Sequence, residues 1–180
     1  MVGVDRRAEH GRKATQGCPC GYLGDPVHAC GCTEVDVERY RSRISGPLLD
    51  RIDIHLEVPT VAYRDLVGAG AEESSATVRE RVESARGRQR ERFRERPGLY
   101  ANAHMTARDL RRHCPLSEPV ERLLREAVGR LGLSARAYHR VLKIARTLAD
   151  LDGAAELATV HVAEAIQYRS LDRGKAVARV

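Results

Sequence analysis

Four of the five cysteines lie close together in the sequence, as two pairs with one residue between the partners: Cys18 with Cys20, and Cys30 with Cys32. Two close pairs of thiolates can supply the four tetrahedral sulfur ligands that Zn²⁺ favours, and nearby glycines allow the backbone to fold around an ion. A complete shell of four sulfurs leaves no open position, so the predicted zinc site is structural. Free or oxidisable thiols in a loop are the alternative interpretation.

An arginine-rich stretch between residues 77 and 96 is the second group with chemical potential. Eight Arg against four Glu give it a formal charge of +4. We predict one long helix here, stopped by Pro97. Such a helix can neutralise phosphates along a nucleic acid, although aromatic residues for base stacking are scarce. The alternative is a solvated helix held by Glu–Arg pairs.

Two isolated arginines stand where predicted elements begin. Arg51 precedes an alternating segment, and Arg136 falls in the first turn of a helix that Ser134 is expected to cap. A cation in the first turn opposes the helix dipole, so anion binding is one interpretation of Arg136. From the residues alone, an ordinary surface arginine is the stronger interpretation of both.

The elements that would position these residues are one strand and then a series of helices. Ile52, Ile54, Leu56 and Val58 alternate with polar residues, which predicts a half-buried strand over 52–58. Capping residues and apolar stripes predict short helices over 33–44 and 107–113 and others after Ser117, after Ser134 and from Thr159. The predicted fold class is therefore an α/β fragment followed by an all-α bundle, mostly helical overall.

The composition limits the class of protein. The chain has 180 residues, 42% of them hydrophobic but only 4% aromatic, so its core must be largely aliphatic. It contains no apolar run long enough to span a membrane and no apolar signal-peptide core, which predicts a cytoplasmic protein without a membrane partner. The net charge of +6 is compatible with a polyanionic partner but does not identify one.

Several stretches in fixed order carry a family resemblance: CPCGYLGDP, RYRSRI, SGPLLDRIDIHLEVP, NAHMTARDLRRHC, LGLSARAYHRVLKIARTLADL and HVAEAIQYRSLDR. Together, from about Cys18 to Arg173, they resemble the ComM/YifB branch of the magnesium-chelatase-like AAA+ ATPases. The resemblance implies the C-terminal part of an AAA+ module plus its helical lid. The implied segments are a disordered or unrelated leader (1–17), the end of the core with the cysteine loop and strand (18–58), a connecting loop and basic helix (59–101), the lid (102–173) and a tail (174–180).

The same resemblance implies roles for the two isolated arginines. Arg51, in LLDRID, matches the arginine finger that reaches the γ-phosphate held by a neighbouring subunit of a ring. Arg136, in LSARAY, matches the second sensor arginine of the lid. ATP with Mg²⁺, a homo-oligomeric ring or a complementing N-terminal half, and DNA as substrate are the implied cofactor and partners at the level of the family.

Three parts of such an ATPase site are missing from the sequence. It contains no G-x-x-x-x-G-K-[ST] loop for phosphate and no Asp-Glu pair after an apolar strand, and Gln16 stands where the family has its first-sensor asparagine. We therefore expect the C-terminal part of a longer protein, unable to hydrolyse ATP alone. A stand-alone zinc-bearing module that binds nucleic acid, an inert gene remnant, and a fragment complemented in trans are the alternatives.

Overall fold

A computed structural model describes residues 17–56, 58, 61 and 73–169. The described residues divide into two compact units, one made of residues 17–46, 58 and 61 and the other of residues 47–56 and 73–169. The described residues form seven α-helices and one 3-10 helix. These are α1 (Glu34–Ser42), α2 (Gly46–Leu49), α3 (Ser75–Phe93), the 3-10 helix (Asn102–His104), α4 (Ala107–His113), α5 (Glu118–Leu131), α6 (Ala135–Leu151) and α7 (Thr159–Gln167).

The first unit holds the cysteine loop and α1. Thr33 begins α1 with a capping box: its hydroxyl oxygen accepts from the Asp36 backbone N–H, and the Asp36 carboxylate accepts from the Thr33 backbone N–H. This reciprocal pairing satisfies two N–H groups that the helix itself leaves unbonded. Earlier in the loop, Asp25 Oδ1 accepts from the backbone N–H groups of Val27 and His28, both at 2.8 Å, and so fixes a turn.

The second unit is an all-α bundle whose core lies between α5, α6 and α7. Each of these helices presents an apolar stripe, and Val120, Val141 and Val162 are completely buried. Gly132 and Gly153 follow α5 and α6 with φ of 60° and 74°, a left-handed conformation that glycine adopts without steric cost and that ends a helix sharply.

Helix α3 adds only a narrow side to this core. Ser74 caps its first turn, since the Ser74 hydroxyl accepts from the Thr77 backbone N–H at 3.1 Å. Its buried residues are Ala85, Gln89 and Phe93, all in the C-terminal half. The predicted long helix is thus present over slightly different bounds, and its N-terminal half is exposed on every side.

The strand predicted over residues 52–58 is not found, so the α/β fragment is not confirmed. Residues 52–56 and 58 lie in no strand, and residue 57 is outside the described range. The burial also differs from the predicted alternation: His55 is buried, whereas Ile54, Leu56 and Val58 are exposed. A strand requires a partner for its backbone groups, and no other strand occurs among the described residues. Instead, the His55 backbone N–H donates to the Tyr168 carbonyl at 2.8 Å.

The segment boundaries predicted from the sequence stay predictions. The leader over residues 1–17 lies, except for Gly17, outside the described residues, as does Gln16. The tail over residues 174–180 also lies outside them.

Candidate functional site

The four cysteines of the first unit converge in space. Cys18 Sγ lies 3.4 Å from Cys20 Sγ and 3.7 Å from Cys30 Sγ, and Cys20 and Cys30 are 3.6 Å apart. With Cys32 included, all four sulfurs lie within 4.8 Å of one another. A tetrahedral Zn²⁺ with Zn–S bonds of 2.3 Å would separate its sulfurs by about 3.8 Å, so the arrangement fits such an ion.

The close contacts in the cluster change the acidity of Cys20 and Cys32 in opposite directions. The backbone N–H of Tyr22 and the neighbouring thiols lower the pKa of Cys20 to about 6. For Cys32, a backbone N–H bond at Cys20 lowers the pKa, but the Cys20 thiol, burial and the other thiols outweigh it and raise the pKa to about 12. The Cys20 thiol therefore loses its proton more easily than an ordinary thiol, and the Cys32 thiol loses its proton less easily. A bound cation removes this conflict because it stabilises every thiolate that it contacts.

Arg51 lies in the second unit with its side chain exposed. It lies two residues after the end of α2, and its backbone N–H donates to the Leu48 carbonyl at 3.0 Å. On its other side the chain continues to Leu56 without regular secondary structure. The guanidinium of Arg51 therefore projects from a turn, and the position of that turn depends on contacts made by its neighbours.

Two arginines of the helical bundle fix the segment that carries Arg51. Arg140, on α6, forms an ion pair with Asp53. Arg169, just after α7 and completely buried, donates to the Ile52 carbonyl and lies 3.9 Å from Asp50. Burial and the nearby charge of Arg169 lower the pKa of Arg140, but arginine remains charged at any physiological pH. These contacts replace the strand pairing that the sequence predicted.

Arg136 is exposed in the first turn of α6, two residues after Ser134. The Ser134 hydroxyl accepts from the Ala137 backbone N–H at 3.1 Å, which confirms the predicted cap. The same hydroxyl donates to Asp50 Oδ2 at 3.3 Å. The two arginines that the sequence singled out therefore stand on elements joined by one hydrogen bond. Arg51 follows the acceptor directly, and Arg136 lies two positions after the donor.

A buried polar network between α3 and α6 was missed from the sequence. Asp150 is completely buried and accepts two hydrogen bonds from Arg92, one of them at 2.7 Å, and another from Asn102 at 2.8 Å. Arg146, one turn earlier on α6, lies 3.1 Å from Asp150. Burial raises the pKa of Asp150, but its hydrogen bonds with Arg92 and Asn102 outweigh that effect and hold it below the usual value. In the sequence, the i,i+4 spacing of Arg146 and Asp150 beside apolar positions could have indicated this network.

Comparison with known proteins follows the same division of the chain. The sequence model of the family described as magnesium chelatase, subunit ChlI C-terminal, matches residues 72–169. The model described as magnesium chelatase, subunit ChlI, matches residues 13–66. Together they cover the cysteine loop, Arg51 and the whole helical bundle.

Individual relatives agree with these matches. Competence protein ComM of Haemophilus influenzae is 41% identical over 138 residues, which is 76% of this chain and 26% of ComM. The YifB protein of Salmonella typhimurium is 41% identical over 143 residues, covering 79% of this chain and 27% of YifB. YifB of Escherichia coli is 40% identical over 146 residues, with the same shares. This chain thus spans little more than a quarter of the length of these relatives.

The helical unit is therefore a C-terminal domain of the magnesium chelatase type. The chain belongs to the magnesium chelatase subunit ChlI family and, within it, to the ComM/YifB branch, as its motifs predicted. No helix in the described part of the chain is both long and apolar enough to cross a membrane.

Proposed function

We propose that this chain supplies the arginine finger, Arg51, and the second sensor, Arg136, to an ATP·Mg²⁺ site of a ComM/YifB-type ring ATPase that processes DNA in the cytoplasm. The 180 residues contain no phosphate-binding loop, so that loop must come from another part of the assembled enzyme. It follows that the 180-residue chain alone neither binds ATP tightly nor hydrolyses it.

The hydrogen bond between Ser134 and Asp50 is the observation that carries this proposal. It joins the turn before Arg51 to the cap before Arg136, although the two residues are 84 positions apart in sequence. Both arginines are exposed. Neither Arg51 nor Arg136 forms an ion pair within the described part of the chain. Two exposed arginines on elements that are hydrogen-bonded to each other are suited to bind a multiply charged anion.

The chemistry of phosphoryl transfer explains why arginine suits both positions. Negative charge spreads over the oxygens of the transferred phosphoryl group, and a planar guanidinium can bond two of them at once. An arginine that is already oriented needs no reorganisation when that charge develops. The contacts of Asp50 and Asp53 with the bundle would provide this orientation for Arg51.

Exposed apolar residues next to Arg51 support the assembly of this chain with a further ATPase core. Ile54 is 48% exposed and Leu56 is 68% exposed, although both belong to the alternating pattern of a strand. Large apolar side chains that stay in contact with water are typical of surfaces that another protein covers. We propose that this segment joins the sheet of that core in the assembled ring.

Zinc has a structural place in this proposal. The four sulfurs of Cys18, Cys20, Cys30 and Cys32 would hold Zn²⁺ in a closed shell, which stabilises the loop and leaves no position for a substrate. Folding energy gained from such an ion would compensate for the small apolar content of this unit, because α1 buries none of its residues.

A chimera of Haemophilus influenzae ComM tests the proposal. Its matching 138-residue segment would be replaced by that of this chain, and the turnover number for ATP would be measured. We expect Arg51→Ala to lower this turnover on the order of 10³-fold, because an arginine finger contributes about that much. Arg122→Ala is the matched control, since Arg122 is exposed on α5 and forms no ion pair in the described residues. Equal turnover of the two variants would rule out the finger.

A further inference from the structure

Most arginines of α3, the basic helix that the sequence favoured for nucleic acid, are already engaged within the protein. Arg81 pairs with Glu73 at 2.7 Å, and Arg88 donates to the Asp150 carbonyl at 3.0 Å. Arg92 pairs with a buried carboxylate, and Arg90 lies near an acid of the same helix. Just after the end of α3, Arg96 pairs with another buried carboxylate, and Arg94 lies near an acid of α3. The formal charge of the helix therefore overstates what it offers to an external anion.

The short helix α4 has the opposite character. Arg108, Arg111 and Arg112 are spaced i, i+3 and i+4, so they share one face. All three are exposed, and none forms an ion pair within the described residues. The other side of the helix is anchored in the core by Leu110, which is 2% exposed.

The only acid on α4 is not available to neutralise this face. Asp109 is 1% exposed, its Oδ1 lies 3.0 Å from Arg96, and its Oδ2 accepts from the Thr106 hydroxyl at 2.7 Å. Attraction to the helix dipole accounts for Arg111 and Arg112 in the last turn, but not for Arg108 in the first turn, where the dipole opposes a cation.

A cavity of about 240 Å³ lies beside Arg112. Arg92, Arg94, Arg96 and His113 also line this cavity, together with two glutamates. Burial, and then the charges of Arg112 and Arg92, lower the pKa of His113.

We propose that Arg108, Arg111 and Arg112 form a binding patch for the phosphate backbone of DNA. The inference rests on the proposed function, because it assigns the DNA contact of that ATPase to one face of one helix. The three side chains extend over about 6 Å along the helix axis, since each residue rises 1.5 Å. That length suits two or three successive phosphates of one strand, which lie about 3.4 Å apart along a duplex.

The patch recognises the negative charge of the phosphate backbone and not the base sequence of the DNA. No Phe, Tyr or Trp lies on α4, so this surface has no large aromatic side chain on which bases could stack. Contacts to phosphate oxygens position a duplex and supply affinity without discriminating between base pairs. A ring that moves along DNA needs contacts of this kind.

The test measures binding of the 180-residue chain to a fluorescent 20-base-pair duplex by anisotropy, over a series of KCl concentrations. Each phosphate contact contributes about 0.9 to the slope of log K against log[salt]. We expect the triple variant Arg108→Gln, Arg111→Gln, Arg112→Gln to make this slope shallower by about 2 to 3. The control variant Arg79→Gln, Arg86→Gln, Arg122→Gln removes the same charge from exposed arginines elsewhere, and its slope should stay close to that of the unchanged chain.

Each outcome decides a different point. An equal loss of slope in both triple variants would overturn the patch, because general charge would then account for binding. An unchanged slope in the α4 variant would also overturn it, and would leave DNA binding by the chain intact. Absence of any DNA binding at low salt would overturn the patch together with DNA as a partner of this part of the ATPase. Loss of ATP turnover on Arg51→Ala would still support the finger in that case.

Discussion

The Ser134 hydroxyl bonds two elements at once: it accepts from the first turn of α6 and donates to Asp50 at 3.3 Å. A serine hydroxyl can do both because it has one donor and two acceptor positions. The residue therefore caps the helix that carries Arg136 and also fixes the turn before Arg51. The serine that marks the start of a helix in the sequence thus also makes a contact with a residue 84 positions away.

Removal of this hydroxyl should destabilise the helical unit. Ser134→Ala should lower the free energy of unfolding by about 1 kcal/mol, the usual value of a serine cap. Ser117 offers the control because it precedes α5 without a side-chain capping bond, so Ser117→Ala should cost only a few tenths of a kcal/mol. Urea unfolding followed by circular dichroism compares the two, and equal losses would contradict the assigned cap.

The pair of Arg140 and Asp53 should tolerate exchange of its charges better than loss of either one. In Arg140→Asp the two acids repel, so the backbone N–H of His55 should lose protection from hydrogen exchange as its bond to Tyr168 opens. The double variant Arg140→Asp, Asp53→Arg restores opposite charges and should recover part of that protection. If the unchanged chain, the single variant and the double variant show the same protection, the ion pair does not hold the segment that carries Arg51.

Loss of the buried carboxylate of Asp150 should be costly. Asp150→Ala leaves Arg92 and Arg146 without their shared partner, and breaking a buried pair in this way typically costs about 3–5 kcal/mol. The exposed pair of Glu121 and Arg125 is the control, and Glu121→Ala should cost less than about 1 kcal/mol. Chemical unfolding of both variants measures the difference, and similar values would show that the network contributes little.

The same carboxylate should make the fold sensitive to acid. The pKa of Asp150 is held below its usual value in the folded chain, so its contribution to stability is complete above the unfolded pKa of about 3.9. It is lost as pH falls through the lower folded pKa. Urea midpoints between pH 3 and pH 6 should therefore fall toward acid. Asp150→Asn should show a weaker dependence on pH than the unchanged chain, and identical profiles would refute this assignment.

The cysteine cluster should bind one zinc ion per chain. Metal analysis of the chain purified without chelator should give a ratio close to one, and Cys20→Ser should lower it strongly because a four-sulfur shell loses a ligand. Cys114→Ser is the control: Cys114 is buried in the helical core, outside the cluster, so the zinc content should not change. Zinc lost equally from both variants would point to a different site.

The sequence predicted the longer helices because their signals are local, but it did not predict the four-residue α2. Thr33, Thr106 and Ser134 each bond the first turn of the helix that follows, and such caps depend on residues only three positions apart. The strand over 52–58 failed for the opposite reason. Alternation indicates only that a segment could pair, whereas a strand also needs a partner elsewhere in the chain.

The site could be predicted in part. The spacing of the cysteines was enough to indicate that they meet, and the structure brings all four together. The contacts of Asp50 with Ser134 and of Asp53 with Arg140 could not be predicted, because each joins residues more than 80 positions apart and no periodic pattern encodes it. The roles of Arg51 and Arg136 stay predictions that rest on the family.

The attachment of residues 50–55 to α6 and α7 also has a mechanical consequence. Bonds from Ser134, Arg140, Tyr168 and Arg169 tie this segment to the helices at four points along its length. Asp50 and Ile52, on either side of Arg51, are both bonded to the bundle. A rotation of the bundle would therefore carry the backbone of Arg51 with it.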